Sequence, residues 1–405
     1  MNERELFRVA LGLAHPWQVK ECAFDQTAGR LDIHLDFPRG SVFECPVCHA
    51  AGCKAYDSDE QTWRHLNFFQ HQTFLHARTP RVNCSECGIH RIVVPWARSG
   101  SGFTLLFEAL VMMLAKAMPV LAVARFVGEH DTLVWRIVSH YVDEARSRAD
   151  HSAVTQVGVD ETASRRGQKY VSLFVDLEQR KVLFVTPGKD ASTVSAFAED
   201  LRAHGGDPLA VTDVSADMSK AFFSGVTASL PHAEVTFDKF HVASLLGTAV
   251  DKVRRIERAD HPELAGSRYV WLKNPENLSP RQGDRLDAFD LPNSHLKTAR
   301  AYEIRLAFQD LYNQPADQAE AYLKSWYFWA THSRIPAIIE VARTIRRHQT
   351  GILRWFTSRI NNGLLEGINS LVQAAKAKAR GYRSDRNLAT IIYLIAGKLD
   401  FQLPT

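Results

Sequence analysis

The 405-residue sequence predicts a multidomain α/β protein whose α and β parts are also segregated along the chain, in the α+β manner. Three observations lead to this prediction. Two C-x-x-C pairs lie near the N-terminus, a helix–glycine–helix pattern follows them, and from residue 155 three strand patterns give way to alternating helices and strands. We therefore expect a small β module, a helical domain, and a mixed sheet interrupted by an all-helical insertion.

The changes of pattern predict where these parts begin and end. The predicted ranges are 1–98 for the N-terminal β module, 99–150 for the helical domain, 151–240 together with 358–400 for the sheet core, and 241–357 for the helical insertion.

The composition is that of an ordinary globular protein, with 45% apolar and 23% charged residues. The N-terminus lacks the apolar segment of a signal peptide, and no apolar run approaches the roughly 20 residues of a membrane span. The net charge is only +4, but basic residues cluster locally, which favours a polyanionic partner. Four of the six cysteines form C-x-x-C pairs, which favours metal binding in a reducing compartment. We expect a cytoplasmic protein with no membrane partner.

Cysteine spacing predicts a zinc site in the first part. A strand pattern over residues 31–37 leads into Cys45 and Cys48, and a second pair, Cys84 and Cys87, follows after two further strand patterns. Each pair supplies two thiolates from one tight turn, as one tetrahedral structural Zn²⁺ requires. One alternative is that these are four unrelated buried cysteines. Another is that Cys53, which lies close by in sequence, replaces one of the four ligands.

Helix patterns in the second part predict a helix-turn-helix. A long apolar helix over 103–118 precedes a short helix that ends at Gly128, and another helix covers 132–146. The last helix would present Arg136 and His140 to a DNA major groove. A plain helical hairpin has the same pattern and is the alternative.

The third part has the order β-β-β-α-β-α-β. Strand patterns cover 156–162, 169–176, 181–186, 209–214 and 233–237, and helix patterns cover 191–204 and 217–230. This is the order of an RNase-H-like fold, in which helices cover both faces of a mixed sheet. The insertion that follows is rich in aromatic residues, for which helical core is the ordinary interpretation.

After the insertion, an amphipathic helix is available to complete the core. Leu364, Ile368, Leu371, Val372 and Ala375 recur at spacings of three and four.

This helix carries a glutamate near its start. Asn361 and Asn362 are suitable caps, and Glu366 lies in the first turn. By itself, a carboxylate at this position is a favourable contact with the helix dipole.

Topology gives this glutamate a second interpretation. In an RNase-H-like sheet the first strand is central and the fourth lies beside it, so Asp160 and either Asp213 or Asp217 come close. The helix after the insertion can bring Glu366 to them. Three converging carboxylates require cations, and Mg²⁺ prefers oxygen ligands. Two such ions activate an attacking hydroxyl and stabilise the leaving oxygen in a displacement at phosphorus.

At these residues the sequence resembles the DDE transposases of bacterial insertion sequences, specifically the ISL-three family, over nearly the whole chain. The similarity rests on the zinc knuckles, the helix-turn-helix, Val157-Gly158-Val159-Asp160-Glu161, Val214-Ser215-Ala216-Asp217-Met218-Ser219, Asp238-Lys239-Phe240-His241, Trp271-Leu272-Lys273-Asn274 and Asn361-Asn362-Gly363-Leu364-Leu365-Glu366-Gly367-Ile368-Asn369.

The resemblance implies site residues. It implies Asp160, Asp217 and Glu366 as ligands of two Mg²⁺ (or Mn²⁺) ions, and favours Asp217 because the family's second acid precedes the Met-Ser pair. In transposases of similar build, an Asp-x-x-His pair sits near the active site, and Asp238 and His241 match it. A helix cap with a satisfied histidine is the alternative for that pair.

The resemblance also implies a function. Such an enzyme binds the terminal inverted repeats of a mobile element, cuts the DNA strand with a metal-activated water, and uses the 3′-hydroxyl to attack target DNA. A homodimer on paired ends, associated with the bacterial nucleoid, would be the active form.

DNA contacts follow from the same resemblance. The basic residues after the glutamate helix would contact phosphates, making affinity fall steeply with salt: Lys376, Lys378, Arg380 and Arg383. Trp271 would stack on a flipped base.

Two other functions fit parts of the sequence. One is a sequence-specific DNA-binding regulator with an inactive RNase-H-like domain, which the intact acids disfavour. The other is a structure-specific DNA nuclease, which would need neither the long insertion nor a reader of end sequences.

Overall fold

The computed structural model describes residues 2–165, 167, 169–291, 294–360 and 362–403. The chain forms two compact units, one of residues up to Ala145 with the stretch from Asp400, the other of Arg146–Leu399. None of the helices in the described ranges has the length and apolar character needed to cross a bilayer.

The first unit begins with helix α1 (Glu3–Ala10) and a six-stranded sheet. The strands are β1 (Gln18–Asp25), β2 (Arg30–Asp36), β3 (Val42–Phe43), β4 (Cys53–Phe68), β5 (His71–Cys84) and β6 (Gly88–Arg91). Their order is β1-β2-β5-β4-β3, and β6 pairs with β5. The alternation predicted around β2 is confirmed, because Leu31, Ile33 and Leu35 are all buried. The two strands between the cysteine pairs are much longer than predicted, since β4 and β5 pair from Phe68↔His71 back to Ala55↔Val82.

Three helices follow in the same unit: α2 (Leu105–Ala117), α3 (Val120–Val127) and α4 (Asp131–Ser147). Thr104 caps α2 by accepting a hydrogen bond from the backbone N–H of Phe107. The predicted glycine turn is confirmed, because Gly128 ends α3 in the left-handed conformation at φ 74°. The buried face of α4 carries Val134, Ile137, Val138, Tyr141, Val142 and Ala145.

The second unit contains the predicted mixed sheet. Its strands are β7 (Gln156–Arg165), β8 (Lys169–Asp176), β9 (Lys181–Pro187), β10 (Asp213–Ala216) and β11 (Glu234–Phe237). The strand order is β11-β10-β7-β8-β9. β7, β8 and β9 are antiparallel neighbours, whereas β10 is parallel to β7 and β11 is parallel to β10. This confirms the RNase-H-like arrangement.

Helices α5 (Ala191–Ala203) and α6 (Lys220–Ser229) pack on this sheet around a core that includes Val157, Phe174, Phe197 and Val214. The strand β10 starts later than predicted, because the chain first turns at 207–210, where the Ala210 N–H donates to the Asp207 carbonyl. The helix α6 also starts later. Asp217 belongs to the turn before it, since its Oδ1 accepts from the Ser219 N–H at 2.9 Å.

The insertion is helical, as predicted. Its helices are α7 (Lys239–Glu257), α8 (Arg268–Leu272), α9 (Pro280–Asp287), α10 (Lys297–Gln309), α11 (Ala319–Thr331), α12 (Pro336–Arg347), α13 (Gln349–Leu353) and α14 (Trp355–Ser358). They enclose an aromatic core containing Trp271, Tyr302, Phe308 and Trp326.

Two helices complete the second unit: α15 (Gly363–Lys378) and α16 (Asp385–Ala396). The buried face of α15 carries Leu365, Ile368 and Val372, whereas Leu371 is exposed, contrary to the predicted stripe. Asn362 precedes α15 without making a side-chain cap bond. The other predicted cap, Asn361, lies outside the described residues.

Candidate active site

Three aspartates stand side by side at the carboxyl edge of the parallel strands. Gly158 on β7 pairs with Ser215 on β10, and Ala216 on β10 pairs with Phe237 on β11. Continuing these registers brings Asp160, Asp217 and Asp238 to equivalent positions on strands that lie about 4.8 Å apart. Positions 57 and 21 residues apart in sequence therefore converge at one edge of the sheet, where ligands of open α/β sheets bind.

The charges of these carboxylates perturb one another. Burial raises the pKa of Asp160, and the negative charges of Asp217 and Asp238 raise it further. Burial also raises the pKa of the neighbouring Glu161, as do the charges of Asp217 and Asp160. Such crowding favours a bound cation, because a cation would let all of these groups ionise.

A histidine supplies positive charge beside the aspartates. His241 Nδ1 lies 2.8 Å from Asp238 Oδ2, and this hydrogen bond raises the pKa of the histidine. The charges of Asp238, Asp160 and Asp217 raise it further. The two interpretations of the Asp-x-x-His pair are both compatible with this geometry, because Asp238 also caps α7 by accepting from the Phe240 N–H.

The helix α15 lies along β7 and holds Asp160 in place. The Asn369 Nδ2 donates to Asp160 Oδ2 at 2.5 Å. Further along the helix, Gln373 donates to the hydroxyl of Thr162, and Lys376 Nζ donates to the Ala163 carbonyl at 2.5 Å. Successive turns of α15 thus contact β7 from Asp160 to Ala163.

Glu366 lies on the face of α15 that is turned toward these strands. Asn362, Glu366 and Asn369 follow at spacings of four and three, which places them on one side of a helix. Asn362 accepts a hydrogen bond from Ser215 on β10 at 2.5 Å, and Asn369 reaches Asp160 on β7. Glu366 is exposed between these two contacts.

The three predicted metal ligands are not gathered into one tight cluster. Within the described part of the chain, the carboxylates of Asp160, Asp217 and Glu366 do not all lie within 4.8 Å of one another.

The second candidate for the middle acid lies elsewhere. Asp213 begins β10, whereas Asp217 follows its end, so the two are roughly 13 Å apart along an extended chain. Asp213 Oδ1 accepts from Arg354 at 3.1 Å, which gives it a structural ion pair. The geometry therefore favours Asp217 as the neighbour of Asp160.

The four paired cysteines do form one cluster. The sulfur atoms of Cys45, Cys48, Cys84 and Cys87 all lie within 4.8 Å of one another. Hydrogen bonding from Cys48 raises the pKa of Cys87 to about 12, while backbone N–H groups, that of Glu86 first, lower the pKa of Cys84 to about 6. Four thiolates so close together require a cation, and tetrahedral Zn²⁺ fits this set.

On the helix-turn-helix, the predicted DNA-reading residues differ in exposure. Arg136 is exposed on α4. His140 is half-buried and lies 3.4 Å from Glu144, one turn further along the helix.

The prediction for Trp271 is corrected. Its side chain is fully buried, and its indole N–H donates to the Ser267 hydroxyl at 2.9 Å. A ring enclosed in the core of the insertion has no face to offer a DNA base. The alternative interpretation, a helical core residue, describes it correctly.

The basic residues after Glu366 line a cleft of about 680 Å³. Lys376, Arg380 and Arg383 contribute to its wall, together with Arg165 from the end of β7. Lys378 is exposed on the same helix, outside the lining of the cleft. Both cleft and carboxylates lie along β7 and α15.

Sequence reasoning missed the polar residues that position the acids. Asn369 and Gln373 follow Glu366 at spacings of three and seven, so they share its helix face. This spacing could have predicted that both side chains face the sheet edge with Glu366. Glu161, beside Asp160, was quoted in the motif but given no role.

Comparisons with known proteins agree with this architecture. A transposase family model of the ISL3 type matches residues 157–392, and a helix-turn-helix domain of transposase family ISL3 matches residues 93–142. A zinc finger of IS204/IS1001/IS1096/IS1165 transposases matches residues 41–87.

Curated relatives match along almost their full length. The transposase for insertion sequence element IS1557 of Mycobacterium tuberculosis is 29% identical over 430 residues, covering 97% of this chain and 96% of that protein. The transposase for IS1001 of Bordetella parapertussis is 30% identical over 398 residues, covering 95% and 96%.

An RNase-H-like sheet with clustered acids, joined to a helix-turn-helix and a four-cysteine β module, defines a DNA-binding transposase. The chain belongs to the ISL3 family of these enzymes. The resemblance drawn from the motifs is confirmed, and so is the predicted DNA partner. The zinc-finger match and the cysteine cluster together indicate a structural zinc site.

Proposed function

We propose that this transposase binds the terminal inverted repeats of its element and carries out metal-dependent strand cleavage and strand transfer at the edge of the core sheet. The register of Asp160, Asp217 and Asp238 on three parallel strands carries this proposal. Glu366 joins them from α15, whose Asn369 contacts Asp160.

The residues at this edge fit hard divalent cations. Their donor atoms are carboxylate oxygens, which Mg²⁺ and Mn²⁺ prefer. Burial first, and then the charges of Asp217 and Asp238, raise the pKa of Asp160, and a cation bound here would oppose that rise. Asp160, Asp217 and Glu366 would hold two ions, which activate the attacking hydroxyl and stabilise the leaving oxygen when bound.

Other side chains act on orientation and charge. Two hydrogen bonds fix the orientation of the Asp160 carboxylate. Asn369 donates to Oδ2, and the backbone N–H of Glu161 donates to Oδ1. Asp238 orients the imidazole of His241 through Nδ1, so that Nε2 is available to contact a phosphate of the scissile strand. The protonated form of His241, favoured by the hydrogen bond to Asp238, would attract that phosphate.

DNA binding is shared among the parts of the chain. Arg136 and His140 on α4 read the major groove of the terminal repeat. Lys376, Arg380 and Arg383 contact phosphates along the cleft beside α15, and Lys378 adds to the positive potential there. Affinity for the repeat is expected to fall steeply as salt concentration rises.

Joining two element ends requires two copies of the protein, so the active form we propose is a homodimer on paired ends. Its substrate is the bacterial chromosome, which places the enzyme at the nucleoid in the cytoplasm.

The substitution Asp217→Asn tests the active site. It keeps the size and the turn-forming oxygen of the side chain but removes the charge. We expect strand cleavage of labelled terminal-repeat DNA in Mg²⁺ to fall by about 100-fold or more, while binding to the repeat is retained.

The matched control is Glu199→Gln, at an exposed position of α5 in the same core, which should leave both activities unchanged. Undiminished cutting by the Asp217 variant would remove this residue from the site and favour a DNA-binding regulator. Cleavage in the absence of divalent metal would exclude a role for the cation in the reaction.

A further inference from the structure

A second cluster of metal-ligating side chains lies away from the sheet edge. Asp200 and His204 occupy the last turn of α5 and the residue after it, spaced by four and therefore on one helix face. His151 comes from the segment that connects α4 with β7. One ligand atom from each of the three residues lies within 4.8 Å of those of the other two.

Polar atoms in this cluster lack partners although they are buried. His151 is only 4% exposed, and neither of its ring nitrogens makes a hydrogen bond of normal geometry, although the Asp150 backbone lies near enough to oppose the lowering of its pKa by burial. Asp200 Oδ2 is also buried without a hydrogen bond. Leaving a buried polar atom unsatisfied is costly, so buried atoms of this kind point to a binding site for an ion or a water.

The surrounding chain holds the three ligands in place. The His151 N–H donates to the His204 carbonyl at 2.9 Å, which fixes the connecting segment against the end of α5. A Cβ at Gly206 would lie 2.7 Å from the His151 carbonyl, so only glycine permits this approach. The two imidazole rings stack with their centroids 4.8 Å apart.

The hydrogen bonds that do exist leave ligand atoms available. Arg146 binds Asp200 Oδ1 at 2.5 Å, and so orients the carboxylate while Oδ2 stays without a hydrogen bond. His204 Nδ1 lies 2.7 Å from the Asp200 carbonyl oxygen, which accepts its proton, and 3.5 Å from Asp200 Oδ2, too far for a good hydrogen bond, so the lone pair of this imidazole is on Nε2. Positive charge from Arg146, and from Lys181 near His151, opposes a cation and lowers its affinity.

We propose that His151, Asp200 and His204 bind a Zn²⁺ ion, separate from the cysteine site and from the catalytic carboxylates. Two imidazoles and one carboxylate are a ligand set of borderline-soft transition metals, and water completes the tetrahedron. Tetrahedral zinc ligands lie about 3.3 Å apart, so the three side chains must close in on the ion when it binds. The ion fastens the segment entering β7, and hence Asp160, to the end of α5.

Metal content of the full-length protein, purified without a histidine tag from zinc-supplemented medium, tests this proposal. We expect two zinc ions per chain in the wild type, and one in His151→Gln and in His204→Gln. The matched control is His232→Gln, at an exposed histidine of the same core, which should keep two.

A spectroscopic measurement covers the case in which a variant folds poorly. Wild-type protein stripped with a chelator and titrated with Co²⁺ should show two tetrahedral sites, of which only one has thiolate-to-metal charge-transfer bands. His204→Gln should lose the site without these bands, and Zn²⁺ should raise the melting temperature of the wild type more than that of the variant. A single site in the wild type, or two zinc ions retained by both histidine variants, would overturn the proposal.

Discussion

Gly158 offers a sensitive test of how closely α15 must approach β7. A Cβ built on Gly158 would lie 2.9 Å from one δ-methyl of Leu365 and 3.0 Å from the other. It would also lie 2.8 Å from a δ-methyl of Leu177, but that side chain is only half-buried and can rotate away. The Leu365 side chain is only 1% exposed and has no room to rotate away. The substitution Gly158→Ala therefore acts on α15.

The size of the effect follows from these contacts. Ordinary van der Waals distances begin near 3.4 Å, so Leu365 and its helix must move by about 0.5 Å. Overpacking of this kind costs about 1–3 kcal/mol of stability. Glu366 follows Leu365 directly, so its carboxylate shifts relative to Asp160. A misplacement approaching 1 Å lowers catalysis by up to about 100-fold, and we expect a loss of about 10-fold or more.

Single-turnover cleavage of labelled terminal-repeat DNA in Mg²⁺ measures this loss, with repeat binding and urea denaturation measured in parallel. Binding should fall much less than cleavage, because Arg136 and His140 lie on α4 and the long basic side chains beside α15 can follow a phosphate over about 0.5 Å. Adding Leu365→Val removes the δ-methyls that clash and should restore part of the cleavage rate.

Gly367→Ala is the control for stability. Its Cβ would meet nothing within 4 Å, so the helix should gain about 0.5–1 kcal/mol. Full cleavage activity in Gly158→Ala, or no rescue by Leu365→Val despite normal folding, would refute the idea that α15 positions a catalytic group.

Three further predictions concern the first unit. Cys45→Ser should lower the zinc content by one ion per chain and abolish repeat binding, and unchanged zinc by elemental analysis would contradict the cysteine site. Arg98→Ala leaves the Glu108 carboxylate, which is 0% exposed, without its cation, and should cost about 3 kcal/mol in urea denaturation; a loss below 1 kcal/mol would count against a buried pair. Burial, together with the Arg64 charge, lowers the pKa of His65 to about 4, below its ordinary value of 6.5. The neutral form is thus favoured by folding, so stability is complete above the ordinary pKa and is lost as pH falls toward 4. Between about pH 7.5 and about pH 5 the free energy of unfolding of the wild type should fall by about 2 kcal/mol more than that of His65→Gln. Equal losses in the two proteins would exclude this histidine as the source of the pH dependence.

Strand and helix patterns predicted the core well where long-range packing agrees with local preference. Buried β-branched runs such as Val157 and Val159 form a strand in almost any context, and the strand order then follows from few allowed connections. Prediction failed around β10, because residues 209–212 are apolar enough for a strand but turn before pairing begins at Asp213. Only the partner strand decides where a ladder starts.

Single residues were predicted less well when their role depends on burial. Trp271 was predicted to stack on a DNA base, yet its ring fills the core of the insertion, as the ordinary interpretation of the insertion's aromatic residues had it. Aromatic side chains serve both purposes, and sequence does not distinguish them. The role of Asn369 was missed for a related reason. The function of an amide on a helix depends on the residue that it contacts, here Asp160, and sequence alone does not show that contact.

By itself, the sequence determined the kinds of chemistry available: thiolate pairs for zinc, acids placed at strand and helix ends, and a basic stretch after Glu366. It could do so because residue type and local spacing are properties of the chain alone. The tertiary structure decided which of these groups meet. Register between parallel strands, set by hydrogen bonds between distant segments, aligned Asp160 with Asp217, and the packing of α5 against the segment before β7 brought His151 to Asp200 and His204.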